Sequence, residues 1–144
     1  MGAVVTTLNL GVVDDLRYSN KGTTKIADVA GYLERKYHIM EVFFELHIEQ
    51  IEELLCDALQ GQIETIAMGG SRANNPFGTA ESKIEALFKL WLSGGGMDGL
   101  GVPGVPTQAA LDGVNHRLKL KKGSPRPSFI DTGLYQASFK SWFD

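Results

Sequence analysis

An α+β fold, with strands at the two ends of the chain and helices between, is what this sequence predicts. Three observations carry that expectation. From Val4 to Val13 apolar and polar residues partly alternate around Gly11, and β-branched residues are frequent, as in a strand. Between Lys25 and Leu92 apolar residues recur at helical spacing. At the C-terminal end "LYQASFKSWF" alternates again. The expected architecture is a set of long amphipathic helices packed on a small antiparallel sheet formed from the N- and C-terminal strands.

In chain order, the first strand, or strand pair, ends at Asp14-Asp15, and "YSNKGTT" (18–24) is a turn in which Thr23 or Thr24 can cap a helix. Ile26, Val29, Ala30 and Leu33 then predict a helix from Lys25 to about Lys36. After a break near Tyr37-His38 comes the strongest helix, about Met40 to Ile66. Phe44, Ile48, Ile51, Leu55, Ala58, Leu59 and Ile63 are expected to form its buried stripe. Glu41, Glu45, Glu49, Glu52, Glu53 and Asp57 occupy much of the remaining surface and read as a solvated face. Gly61 is the expected site of any kink. "MGGSRANNPFG" (68–78) is a loop, and Thr79 is expected to cap a helix reaching Leu92, with Ile84, Leu87, Phe88 and Trp91 on one face.

The Gly/Pro-rich run 93–106 cannot hold regular structure for long and is expected to be a flexible loop. "TQAALDGVNHRLK" starts with a short helix, and Leu118 and Leu120 alternate with lysines as a strand. Ser128 to Phe143 is expected to turn into a strand with Tyr135, Ala137, Phe139 and Ser141 on one side. No internal repeat is visible, so residues 1–144 are expected to form one domain.

Composition narrows the function classes. A hydrophobic fraction of 43% and a net charge of −3 describe an ordinary soluble globular chain, with no global pull toward nucleic acid or membrane. The lone Cys56 excludes an internal disulfide, and its place beside the apolar stripe reads as a small core residue. No basic stretch leading into an apolar run opens the chain, and no apolar segment is long enough to span a bilayer. A soluble protein made in the cytoplasm is therefore expected.

Several motifs invite chemistry. "FIDTG" (129–133) has the form of an aspartic-protease loop, which needs two carboxylates sharing one proton. Such a loop also needs β structure and a flap after it, and only eleven residues come after Gly133. The plainer reading makes Asp131, Thr132 and Gly133 a structural turn. Gly99, Gly101 and Gly104 match G-x-G-x-x-G, but a helix precedes them and Pro103 and Pro106 interrupt the segment after Gly101, so no cofactor is expected. Glu34 and His38 have i, i+4 spacing, His47 lies near Glu45 and Glu49, and His116 is isolated from them in sequence. No set reaches three convincing ligands, so no metal is expected. The basic stretch 116–128 contains Arg117, Lys119, Lys121, Lys122 and Arg126 and little acid. It reads as a lysine-protected edge strand, or as a set of phosphate contacts in a nucleic-acid-binding module. An acidic helix and a basic segment on one chain also suit head-to-tail contacts between copies. Arg117, Lys119, Lys121, Lys122, Arg126, Phe129, Tyr135 and Phe139 are the candidate interface residues, the aromatics being either core or interface.

Two segments carry a family resemblance. In "DTGLYQASF", Asp131-Thr132-Gly133 is followed by Tyr135 at an apolar position and by Ser138-Phe139. In "ADVAGYLERKYHIMEVFFELHIEQI", Val29-Ala30, Tyr32, Glu34, Met40 and Phe43-Phe44 recur in comparable order, with Arg35-Lys36 standing where a glycine is usual. Both resemble the tail-completion and head–tail joining (neck) proteins of tailed bacteriophages, although here the Asp-Thr-Gly segment comes last. The resemblance implies an α+β virion subunit, assembled in the host cytoplasm into a homo-oligomeric ring between portal and tail. Its partners would be further copies and the neighbouring portal, connector or tail proteins. Genomic DNA would pass through the lumen without being read, and no catalytic residue or cofactor is implied. The alternatives from the residues themselves are a small Asp-Thr-Gly peptidase and a basic-segment nucleic-acid-binding module.

Overall fold

A computed structural model describes residues 6–12, 25–113, 125–129 and 134–143. In chain order the elements are β1 (Leu8–Val12), α1 (Ile26–Tyr37), α2 (Ile39–Ala67), α3 (Gly78–Ser93), α4 (Gln108–Asp112), α5 (Leu134–Ser138) and β2 (Phe139–Phe143). The class is α+β, as expected, and the sheet joins the two chain ends. β1 and β2 are antiparallel, with Leu8 opposite Phe143 and Val12 opposite Phe139.

A two-stranded sheet is marginal by itself in water. Here α3 lies along β2 and supplies partners to its backbone. The Ser141 N–H donates to Glu85 Oε1 at 3.1 Å, and the Phe143 N–H donates to Glu81 Oε1 at 3.3 Å. The buried Ser141 hydroxyl donates to the Glu81 carbonyl at 2.9 Å. Two glutamates one helical turn apart thus do for β2 what a third strand would do, which leaves no orphan donors at these positions.

The core is aromatic at its centre. Phe88 of α3 stacks on Phe139 of β2 with centroids 3.9 Å apart, and Phe43 of α2 meets Phe88 edge-on at 5.1 Å. All three are fully buried. Ile39, Ile51, Ile84, Leu92 and Tyr135 close around them, with Leu8, Leu10 and Val12 of β1 packed at the margin.

One residue makes the corner between α1 and α2. His38 takes the left-handed conformation (φ 53°, ψ 43°) and serves as C-cap of one helix and N-cap of the next. Its N–H donates to the Glu34 carbonyl at 2.9 Å. The Glu34 carboxylate then reaches over the corner and accepts the N–H groups of Met40 (2.8 Å) and Glu41 (3.1 Å). An anion at these orphan donors also faces the positive end of the α2 dipole.

Several local expectations are corrected. The irregularity in α2 is at His47 (φ −116°), not at Gly61, because the His47 ring bonds through Nδ1 to the Phe43 carbonyl at 2.8 Å and competes for the helical ladder. α1 is preceded by Lys25 as N-cap rather than by Thr23 or Thr24, which lie outside the described residues. α3 begins at Gly78 with Phe77 as N-cap and no side-chain cap bond, from Thr79 or otherwise; ahead of it Asn75 closes a turn, its Oδ1 accepting the Phe77 N–H and its Nδ2 donating to Glu81. Residues 134–138 are helical, so Ala137 is exposed and does not share a face with the buried Tyr135.

After Ser93, the last residue of α3, the run to Pro106 does lack helix and strand, but it is pinned to the core by Met97 and Val105. Asp98 Oδ2 accepts the Ser128 N–H, and the buried Ser128 hydroxyl accepts the Thr107 N–H, tying three loops together. Gly96 has a packing reason to be glycine: a Cβ there would stand 2.3 Å from Trp91 Nε1.

The aromatic stack carries a measurable expectation. Phe88→Ala should cost about 3–5 kcal/mol, the usual range for truncating a buried phenylalanine. Urea unfolding followed by circular dichroism measures it, and a loss below about 1 kcal/mol would mean the stack does not hold α3 to β2.

Candidate functional site

Of the interface residues read from sequence, Arg117, Lys119, Lys121 and Lys122 lie outside the described residues, as do Asp131, Thr132 and Gly133 and the expected strand around Leu118. Arg126 is half-buried and its backbone N–H donates to the Ala110 carbonyl at 3.0 Å. Tyr135 and Phe139 are core residues and present no surface. Phe129, half-buried with φ 69°, packs its ring 4.9 Å from that of Tyr37. The three aromatics therefore join elements within this chain.

The Gly99–Gly104 motif is preceded by turns after α3 and followed by the five-residue α4, not by the strand and long helix that a dinucleotide site uses. His47 is occupied by its bond to Phe43 and by ring contacts with Phe43 and Trp91. Glu34 and His38 do come together, and the fold adds Glu41: one ligand atom from each lies within 4.8 Å of the others. Spacing alone missed Glu41, because the left-handed residue at the corner turns α2 back beside α1. His38 Nδ1 lies 3.0 Å from Glu41 Oε2, and both side chains are well exposed. Both Glu34 oxygens already accept backbone N–H groups, so the cluster is first of all a helix cap. On the neighbouring turn, hydrogen bonding to Tyr37 and then to Tyr32 raises the Lys36 ammonium above its ordinary range.

Two adjoining cavities of about 340 and 420 Å³ line the groove between α2 and α3 and share Leu54, Asp57 and Lys83. A third, of about 570 Å³, lies between β1 and the α1–α2 corner, lined by Leu8, Leu10, Met40 and Phe44 with Glu34 and Glu41 at its edge. None of these three is lined by a histidine or cysteine, so none places a nucleophile beside an imidazole base.

The chemistry-bearing surface is the outer face of α2. Leu54, Ala58 and Thr65 look toward α3. About 100° further round the helix, Ile48, Leu55, Leu59, Ile63 and Ile66 form a second apolar row. Leu55 is half-buried, but Ile48, Leu59, Ile63 and Ile66 are 40%, 46%, 66% and 51% exposed. Apolar spacing predicts most of this row as the buried stripe. The actual core contact is made by Ile39, Phe43 and Ile51, one step round the helix. Glu45, Glu49 and Glu52 border the row at its N-terminal end, all exposed. Cys56 lies on the same outer surface as a free, exposed thiol, which corrects its expected place in the core. Among the described residues, no helix is long and apolar enough to cross a membrane.

No protein-family model, curated protein or solved structure matches the chain.

Two outcomes test these placements. Glu34→Ala should lose about 1–2 kcal/mol as two N-terminal donors of α2 lose their acceptor, while Glu34→Gln, keeping one oxygen, should lose less. Chemical denaturation of the two variants beside the parent measures both. Cys56 in the native protein should react with a maleimide or aromatic disulfide at the rate of a small free thiol; protection until denaturant is added would place it against another surface.

Proposed function

We propose that this chain is a structural protein of a tailed-phage virion. It would act as one subunit of a homo-oligomeric neck or tail-completion ring that joins portal to tail and lets the genome pass. The observation that carries the reading is the pair of resembling segments around Val29–Ile51 and Asp131–Phe139. Where they are described, they meet in one core. Phe43 and Phe139 approach to 6.0 Å between centroids, and α1 packs against α5. Segments that far apart in sequence build a single structural unit, which is what a shared subunit framework requires.

The outer face of α2 supports the same reading. A row of exposed isoleucine and leucine side chains bordered by glutamates suits protein contact better than small-molecule chemistry. A ring subunit of this kind needs no catalytic group. Its partners would be further copies and adjacent portal, connector or tail proteins, with DNA contacted only through its backbone charge.

Particles of the phage whose genome carries this gene provide the test. Mass spectrometry of purified virions should find the chain in several copies per particle. Deleting the gene should leave DNA-filled heads and free tails that fail to join, visible by electron microscopy. Absence from purified particles, with normal joining in the deletion, would overturn the proposal.

A further inference from the structure

We infer that the acidic, apolar outer face of α2 is the docking surface for residues 117–122 of a second copy of the chain. The inference deepens the homo-oligomeric part of the proposed function by naming the two surfaces that meet.

The first ground is the exposed row itself. Ile48, Leu55, Leu59, Ile63 and Ile66 succeed one another at spacings of seven, four, four and three residues, which keeps them on one side of the helix. The last three stay 46%, 66% and 51% exposed among the described residues. The second ground is charge, and it selects the occupant. Across its 29 residues α2 has seven carboxylates (Glu41, Glu45, Glu49, Glu52, Glu53, Asp57 and Glu64) and no lysine or arginine. Glu45, Glu49 and Glu52 border the row and are exposed, and the ion pairs among the described residues, His38–Glu41 and Lys140–Glu85, do not include them. Packing this face against the α2 of another copy would oppose like charges, which disfavours that pairing.

The complementary chemistry is in the same chain. "RLKLKK" (117–122) places Arg117, Lys119, Lys121 and Lys122 around Leu118 and Leu120, with no acid among them. Its cations match the glutamates, and its two leucines match the apolar row. A contact between two different patches is head-to-tail, so repeating it builds a ring when the rotation closes.

The test uses the full chain and light scattering after gel filtration. The parent should run above the monomer mass at about 100 μM, with the mass falling as salt is raised, because the pairing charges are exposed. Glu45→Lys/Glu49→Lys/Glu52→Lys in one protein and Lys119→Glu/Lys121→Glu/Lys122→Glu in another should each be monomeric, with circular dichroism unchanged. Mixed in equal amounts, the two should associate again, since each reversed patch then meets its complement. Ile63→Ser should weaken the parent's association about tenfold or more without loss of helix.

A monomeric parent, single charge-reversed proteins that keep the parent mass, or a mixture that stays monomeric would each overturn the inference. So would monomers throughout in which combining both reversals in one chain restores stability, since the contact would then be internal. Particle composition is decided separately. Rescue by mixing in a protein absent from virions would sink the proposed function alone. A virion protein whose association ignores the reversals would sink this inference alone.

Discussion

The stack of Phe88 on Phe139, with Phe43 set edge-on against it, is the contact on which the rest of this structure depends. It brings together the consecutive helices α2 and α3 and the remote strand β2. β2 is five residues long and pairs with a single described strand, so its own ladder supplies little stability. Phe139 is its first residue, and burying that ring sets which face of β2 looks inward. Ser141 comes next on the same face, and its N–H and hydroxyl lie within reach of Glu85 and Glu81. The register of β1 is then set through β2, with Leu8, Leu10 and Val12 packed at the edge of the same core.

Carboxylates divide into two populations by what surrounds them. Glu34, Glu81 and Glu85 accept backbone N–H groups and act as pieces of secondary structure, closing a helix start and the side of a strand. Each satisfies donors that would otherwise be orphaned, the circumstance in which a hydrogen bond matters most. Glu45, Glu49 and Glu52 touch nothing comparable and leave their charge on the outer face of α2. The division explains how an acidic chain holds its corners with acid while still keeping a strongly acidic exposed surface on α2.

Much of the helical layout was legible from apolar spacing: α1, α2 and α3 lie within a residue or two of the expected Lys25–Lys36, Met40–Ile66 and Thr79–Leu92. The face of α2 was harder. Phe44, Ile48, Leu55, Leu59 and Ile63 make as good a stripe as Phe43, Ile51 and Leu54, because the helix is apolar over more than half its circumference, and periodicity cannot say which row meets another element. The kink at His47 and the Asn75 turn ahead of α3 depend on side-chain bonds to backbone groups, to which hydrophobic spacing is blind. α5 was missed because "LYQAS" has the same short alternating pattern whether it forms one helical turn or a strand. Glu41 beside Glu34 and His38 had no sequence signal beyond proximity, since the left-handed corner residue created the cluster.

By itself the sequence determined the α+β class, the two terminal strands, the three main helices and the charge contrast between α2 and the 117–122 segment. These arise from the composition and period of short windows, which local backbone preference and solvation read directly. Only the tertiary structure decided which apolar row of α2 became core, that Tyr135 and Phe139 lie inside, and that Cys56 lies outside. Those outcomes depend on what stands opposite each side chain. A helix with two apolar rows acquires one inner face only when α3 and β2 close on it, and the row left over stays exposed.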